Sequence, residues 1–163
     1  MPPRTHRHLR RLDSIWIEHP VYFLTISTAG RRPALANEAA AGVLRAEFNA
    51  APSRYGWSVG RFVAMPDHVH FFCVSDETPS GSSLPRFMAG FKQWTAKGIP
   101  QATGLAPPFW QKEFFDHVLR SDESYESKWD YVRENPVWAG LVSRADDWPY
   151  AGEITPISRS GAM

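Results

Sequence analysis

The chain predicts an α+β domain built on a ferredoxin-like antiparallel sheet, the split β-α-β plan, with an added C-terminal helix. Three observations carry this: short runs rich in aromatic and β-branched residues, apolar residues at helical spacing between them, and the order strand, helix, strand, strand, helix, strand, helix. At 163 residues the length is one domain's worth. The expected organisation is a basic N-terminal arm over 1–20, a folded domain over 21–150, and a C-terminal tail over 151–163.

Val21 to Thr28 reads as the first strand, ending before Gly30. Asn37 is placed to cap a helix through about Asn49, with Glu38 in its first turn and Leu44 and Phe48 four apart on one face. Trp57 to Ala64 reads as the second strand, Pro66-Asp67 as a turn, and His68 to Val74 as a third strand antiparallel to the second. After a polar loop over 75–83, a helix is expected from about Leu84 to Gly98, with Phe87, Phe91 and Trp94 as a core stripe. Phe109 to Leu119 holds a last strand or strand pair. Ser121 or Asp122 then caps a helix that Pro136 ends near Asn135. The segment after Val137, rich in Trp, Pro and Gly, carries no assignable pattern.

Composition narrows the function classes. Hydrophobic content of 43% with 21% charged residues is that of a globular domain, and no apolar run approaches the roughly 20 residues of a membrane helix. The basic start, Arg4 to Arg11, is not followed by the apolar core of a secretory signal, and the single Cys73 can form no internal disulfide. A cytoplasmic location is the expectation. A net charge of +1 argues against gripping duplex DNA by bulk electrostatics, so any nucleic-acid role must be local.

The chemistry centres on Met65-Pro66-Asp67-His68-Val69-His70. On a strand, His68 and His70 project from one face while Val69 and Phe71 serve the other. Two imidazoles aimed at one point are a candidate metal site. Tyr131 and Asn135, four apart on the expected last helix, lie one turn apart on a shared face. If that face packs against the histidine strand, two imidazole nitrogens, an amide oxygen and a phenol converge. Such a shell suits Mg²⁺ or Mn²⁺ with positions open for phosphate oxygens, and it suggests phosphoryl transfer with the tyrosine as nucleophile.

These residues sit within further ordered motifs. Met65 to His70 resembles the M-P-N/D-H-x-H stretch of the HUH single-tyrosine transposases, and Tyr131 to Val142 resembles the Y-I-x-x-N-P-V-x-A-G-L-V segment of their REP-associated branch. Between them, Phe91-Lys92-Gln93-Trp94-Thr95 is similar to that branch's F-K-x-x-T helix, and Trp110 to Arg120 to its W-Q-x-x-F-x-D-H-x-x-R block; Trp148-Pro149 matches its closing signature. The resemblance runs from about Val21 to Tyr150. It implies that His68, His70 and Asn135 are ligands of Mg²⁺ or Mn²⁺ and that Tyr131 is the nucleophile. It also implies an enzyme, a DNA endonuclease and strand transferase, that cleaves and rejoins single-stranded DNA beside hairpin repeats through a 5′-phosphotyrosine intermediate. The implied partner is single-stranded or hairpin DNA, bound by a monomer or homodimer. Trp138 departs from the basic or small residue usual after Asn-Pro-Val, and with the low net charge it bears on affinity for a duplex stem.

Lys92, Arg120 and Arg133 are candidate phosphate contacts, and Trp110 and Trp138 candidate stacking residues. Asp116 and His117 match the family block without an assignable step. The competing expectation is a domesticated protein that binds hairpins without cutting; intact His68, His70, Tyr131 and Asn135 argue against it. A nucleotide hydrolase of the His-x-His-x-His type needs a histidine at position 72, which is Phe72.

Overall fold

The computed structural model describes residues 20–76, 81–119 and 124–157. Five strands and four helices alternate along them: β1 Tyr22–Ser27, α1 Glu38–Tyr55, β2 Trp57–Ala64, β3 His68–Ser75, α2 Leu84–Thr103, β4 Phe115–Val118, α3 Tyr125–Val132, α4 Asn135–Trp138 and β5 Ala151–Glu153. The sheet order is β4-β1-β3-β2-β5, with every neighbouring pair antiparallel. The first four strands form the split β-α-β plan; β5 adds a fifth to the free edge of β2.

Local signals explain most boundaries. The Asn37 side chain accepts from the Ala40 N–H at 2.8 Å, capping α1 as expected. That helix runs on past Asn49 to Tyr55, where Gly56 at φ +75 lets the chain turn left-handed and return its N–H to the last carbonyls. α2 likewise continues past Gly98 to Thr103 and ends on Gly104. The expected third-helix caps, Ser121 and Asp122, lie outside the described residues. The helix begins at Tyr125, with Ser124 accepting from the Ser127 N–H.

The sheet is covered on both faces. On one, α1 and α2 seal Leu24, Ile26, Phe62, Val69, Phe71 and Cys73 under Leu44, Phe48, Phe87 and Phe91. Phe48 stacks nearly parallel on Phe91 at 5.3 Å and meets Phe71 at 4.9 Å, and this offset ring packing adds to the stabilisation from burying the rings. Trp94 departs from the expected core stripe: Thr95 is the buried residue there, while Trp94 faces outward under the Arg54 guanidinium at 4.5 Å. On the other face, Val21, Phe23, Val63 and Phe72 pack with Tyr125 and Val132 of the α3 segment. The second face is the one that carries His68 and His70.

Candidate metal and nucleophile site

The β2–β3 turn, Met65-Pro66-Asp67-His68, is closed by the Met65 N–H donating to the His68 carbonyl at 2.7 Å and held to the first strand by the Thr28 N–H donating to the Asp67 carbonyl at 2.9 Å. Trp148 anchors the same corner, its indole N–H donating to the Ala64 carbonyl at 3.0 Å. From this fixed corner β3 alternates its side chains. His68, His70 and Phe72 fall on one face, opposite Ser27, Thr25 and Phe23 of β1.

The two imidazoles stand with ring centroids 4.7 Å apart, nearly perpendicular. Each has its Nδ1 engaged. His70 Nδ1 lies 2.7 Å from Thr25 Oγ1, and His68 Nδ1 lies 2.8 Å from Asp67 Oδ1. The Asp67 carboxylate only accepts, so His68 Nδ1–H donates and its Nε2 keeps a lone pair; the Thr25 hydroxyl can accept from His70 Nδ1–H, which leaves His70 Nε2 in the same state, the arrangement that ligating histidines need. Asp67 is itself gripped: Arg31 Nε donates to its Oδ2 at 2.9 Å, and Arg31 Nη2 approaches His68 Nδ1 at only 3.5 Å, a weaker competitor for that nitrogen. Burial works to raise the Asp67 pKa, but the hydrogen bonds from Arg31 and His68 outweigh it and hold the carboxyl below the usual range. Burial, with the charges of His68 and Lys128 behind it, pushes His70 down to about 3. His70 is therefore a neutral imidazole at working pH.

The structure places Tyr131 and Asn135 differently from the expected single helix. α3 stops at Val132, because the Pro136 ring excludes an N–H and crowds the carbonyl four residues back, that of Val132. Asn135 repairs the break: its Nδ2 donates to the Val132 carbonyl at 2.7 Å. Tyr131 and Asn135 thus share no continuous helical face. The Tyr131 ring is 63% exposed and packs on Trp138 at 4.7 Å. Among the described residues, neither Tyr131 nor Asn135 hydrogen-bonds to an imidazole. The side chain that α3 brings toward the histidines is Lys128, whose ammonium sits 5.1 Å from the centre of the Phe23 ring that stacks on His70.

The remaining predicted residues divide. Trp110, 8% exposed, is a core residue, its indole N–H donating to buried Thr95 Oγ1 at 2.8 Å. Lys92 donates to the Lys112 carbonyl at 2.7 Å, and its burial lowers its pKa. Arg133 pairs with Asp146. Arg120 lies outside the described residues. Asp116 pairs in register with Leu24 and so falls on the helix-covered face, whereas His117, opposite Phe23, shares the face of His68 and His70. Sequence reasoning passed over Arg31, Thr25 and Lys128. Only the pairing of β1 with β3 brings Thr25 to His70, and only the docking of α3 brings Lys128.

Two imidazole nitrogens from one strand are donors that a divalent ion accepts, and the side-chain contact of Asn135 is with the Val132 carbonyl. Among the described residues no group of three His, Cys, Asp or Glu side chains could hold a metal ion. The histidine pair thus lies on the face of an antiparallel split β-α-β sheet that α3 covers, with Tyr131 on the outer side of that helix.

Comparison with known proteins agrees. Residues 19–135 match the family described as "Transposase IS200 like", and the chain belongs to that family. A Haemophilus influenzae protein assigned as a REP-associated tyrosine transposase is 23% identical over 140 residues, covering 80% of this chain and 78% of its own. A REP-associated tyrosine transposase solved bound to a REP hairpin superposes with a TM-score of 0.64 at 22% identity, over 86% of this chain and 90% of that one. A Deinococcus radiodurans protein assigned as a transposase gives 0.53 at 21% identity, over 70% and 88%. The resemblance read from the ordered motifs is borne out, and the two structures share this fold.

Proposed function

We propose that this chain is a transposase and strand transferase that cuts and rejoins single-stranded DNA beside hairpin repeats, with Tyr131 as nucleophile. The observation that carries the reading is the histidine pair: both Nδ1 atoms are tied down by neighbours, so both Nε2 atoms are the ones left to take a ligand on the sheet face that α3 covers. His68, His70 and Asn135 Oδ1 are the residues that would hold Mg²⁺ or Mn²⁺, which supplies withdrawal of charge from the scissile phosphate. The chain's own steps are these. Tyr131 gives up its phenolic proton, its oxygen bonds to phosphorus as the P–O3′ bond breaks, and the 3′ oxygen leaves and takes a proton. The 5′ phosphate stays on the tyrosine until a second 3′ hydroxyl attacks and releases it. The phosphotyrosine bond conserves the energy of the cut linkage, so no nucleotide cofactor enters. The Tyr131 ring must leave Trp138 or turn about its own side-chain bonds to reach a phosphate beside the histidines.

A second reading, hairpin binding without cleavage, is favoured by the outward, Trp138-stacked position of Tyr131. One experiment separates the two. The protein is incubated with Mn²⁺ and a labelled hairpin carrying a single-stranded flank, and adducts that survive denaturant are counted. Cleavage predicts an adduct with the parent and none with Tyr131→Phe, at equal binding by fluorescence anisotropy. An adduct of equal yield with Tyr131→Phe removes the nucleophile assignment, and persistent binding with no cut on any hairpin establishes the binding-only reading. A cytoplasmic site of action remains part of the proposal; among the described residues no helix is long and apolar enough to cross a membrane.

A further inference from the structure

Phe115 opens β4 and is 58% exposed. Its neighbour Phe114 packs against the helix-side core, so strand alternation turns Phe115 to the opposite face, the one with His68 and His70. Register makes this a single row: Phe115 pairs with Thr25, and Thr25 pairs with His70 and touches its Nδ1 at 2.7 Å. Directly opposed Cβ atoms on neighbouring strands are about 5 Å apart, which puts Phe115 about 10 Å along the row from His70. Stacked nucleotides advance about 3.4 Å each, so this span is one to three nucleotides from a phosphate held at the histidines. The ring does no packing for the fold: among the described residues it joins neither apolar cluster and meets no other ring.

We propose that Phe115 is the stacking platform for an unpaired base flanking the scissile phosphate. It makes the site select single-stranded DNA there, because a base held in a duplex cannot turn onto the ring. This inference rests on the DNA-cleaving reading of the site and names how that site grips its substrate.

The test pairs variants with abasic DNA. Phe115→Leu keeps the apolar bulk without a π-face, Phe115→Trp keeps the π-face, and Phe115→Ala removes both. Adduct formation with Mn²⁺ is measured on the intact flank and on flanks with one abasic nucleotide at each position near the cut. Binding of the same oligonucleotides is followed by anisotropy in EDTA. Stacking predicts that Phe115→Leu and Phe115→Ala lower both readouts roughly 5- to 100-fold while Phe115→Trp stays near the parent. One abasic position should cost the parent the same factor and the Leu variant nothing further. Equal behaviour of Phe115→Leu and the parent overturns the proposal, as does an equal loss on every abasic flank, which would mark Phe115 as structural or as a protein contact. If the parent forms no adduct at all the cleavage reading fails instead, and the anisotropy series alone decides on the platform.

Discussion

At the scale of single residues, the two imidazoles of the candidate site are held by the side chains behind them. Asp67 holds His68 by Nδ1 and is held in turn by Arg31, whose backbone sits at φ +55, a left-handed conformation costing a side-chain-bearing residue about 1 to 2 kcal/mol. The strain persists at the mouth of the site, where it keeps the guanidinium on the carboxylate. Removing the clamp frees His68 to rotate and to choose the wrong tautomer. Asp67→Ala is expected to weaken Mn²⁺ binding about 10- to 100-fold by titration calorimetry, with Asp67→Asn recovering part of it through its amide oxygen. Unchanged Mn²⁺ affinity in Asp67→Ala would mean that His68 is oriented by other contacts. The histidine pair itself was legible from period-2 alternation. Its partner Thr25 was not, because a cross-strand neighbour is set by register, and register has no signature in either strand alone.

At the scale of elements, two close approaches decide how helices sit. A Cβ on Gly90 of α2 would fall 2.4 Å from the Tyr55 ring at the end of α1, so the two helices meet at this separation only because the position is bare. Gly90→Ala is expected to lower stability by about 1 to 3 kcal/mol in urea unfolding despite its better helix propensity. A gain in stability would show that Tyr55 yields freely. α3 docks through Tyr125, whose hydroxyl accepts the Arg61 backbone N–H at 2.9 Å and whose ring meets Phe72 at 4.9 Å. Burial pushes the Tyr125 pKa up to about 12, against about 10 in the unfolded chain. Between those values the unfolded phenol has lost its proton and the folded one keeps it, so this contribution is complete below pH 10 and is lost as pH rises to 12. Tyr125→Phe should therefore melt lower at pH 7, by about 1 kcal/mol for the lost hydrogen bond, yet lose less between pH 10 and 12 than the parent. Parallel alkaline melting curves would contradict the assignment. The break after Val132 was half legible: Asn135-Pro136 announced a helix end, but its length and the way Asn135 caps the freed carbonyl depend on the chain beyond.

At the scale of the whole molecule, charge and topology set what the surface can do. With a net charge of +1, few phosphates can be neutralised at once. The three candidate phosphate contacts, Lys92, Arg120 and Arg133, at about 0.7 counterions each predict a slope of about −2 for log affinity against log salt on single-stranded DNA, measured by anisotropy. A slope steeper than about −6 would mean that the basic arm at residues 4–11 dominates binding. The sequence by itself determined the strand and helix order, the shared face of His68 and His70, and the family motifs around them, because all of these are written in local periodicity and residue type. Tertiary structure decided the rest. Ala151–Glu153 has no strand signal and becomes β5 by pairing with Arg61, Phe62 and Val63 on the edge of β2. Trp110 is core while Phe115 is surface, although both stand in one aromatic block, since the bridge of Trp110 to Thr28 and the register of β4 on β1 choose the face. Whether Tyr131 faces the histidines or solvent depends on how α3 lies on the sheet, a matter of packing between elements far apart in the chain, which local pattern does not encode.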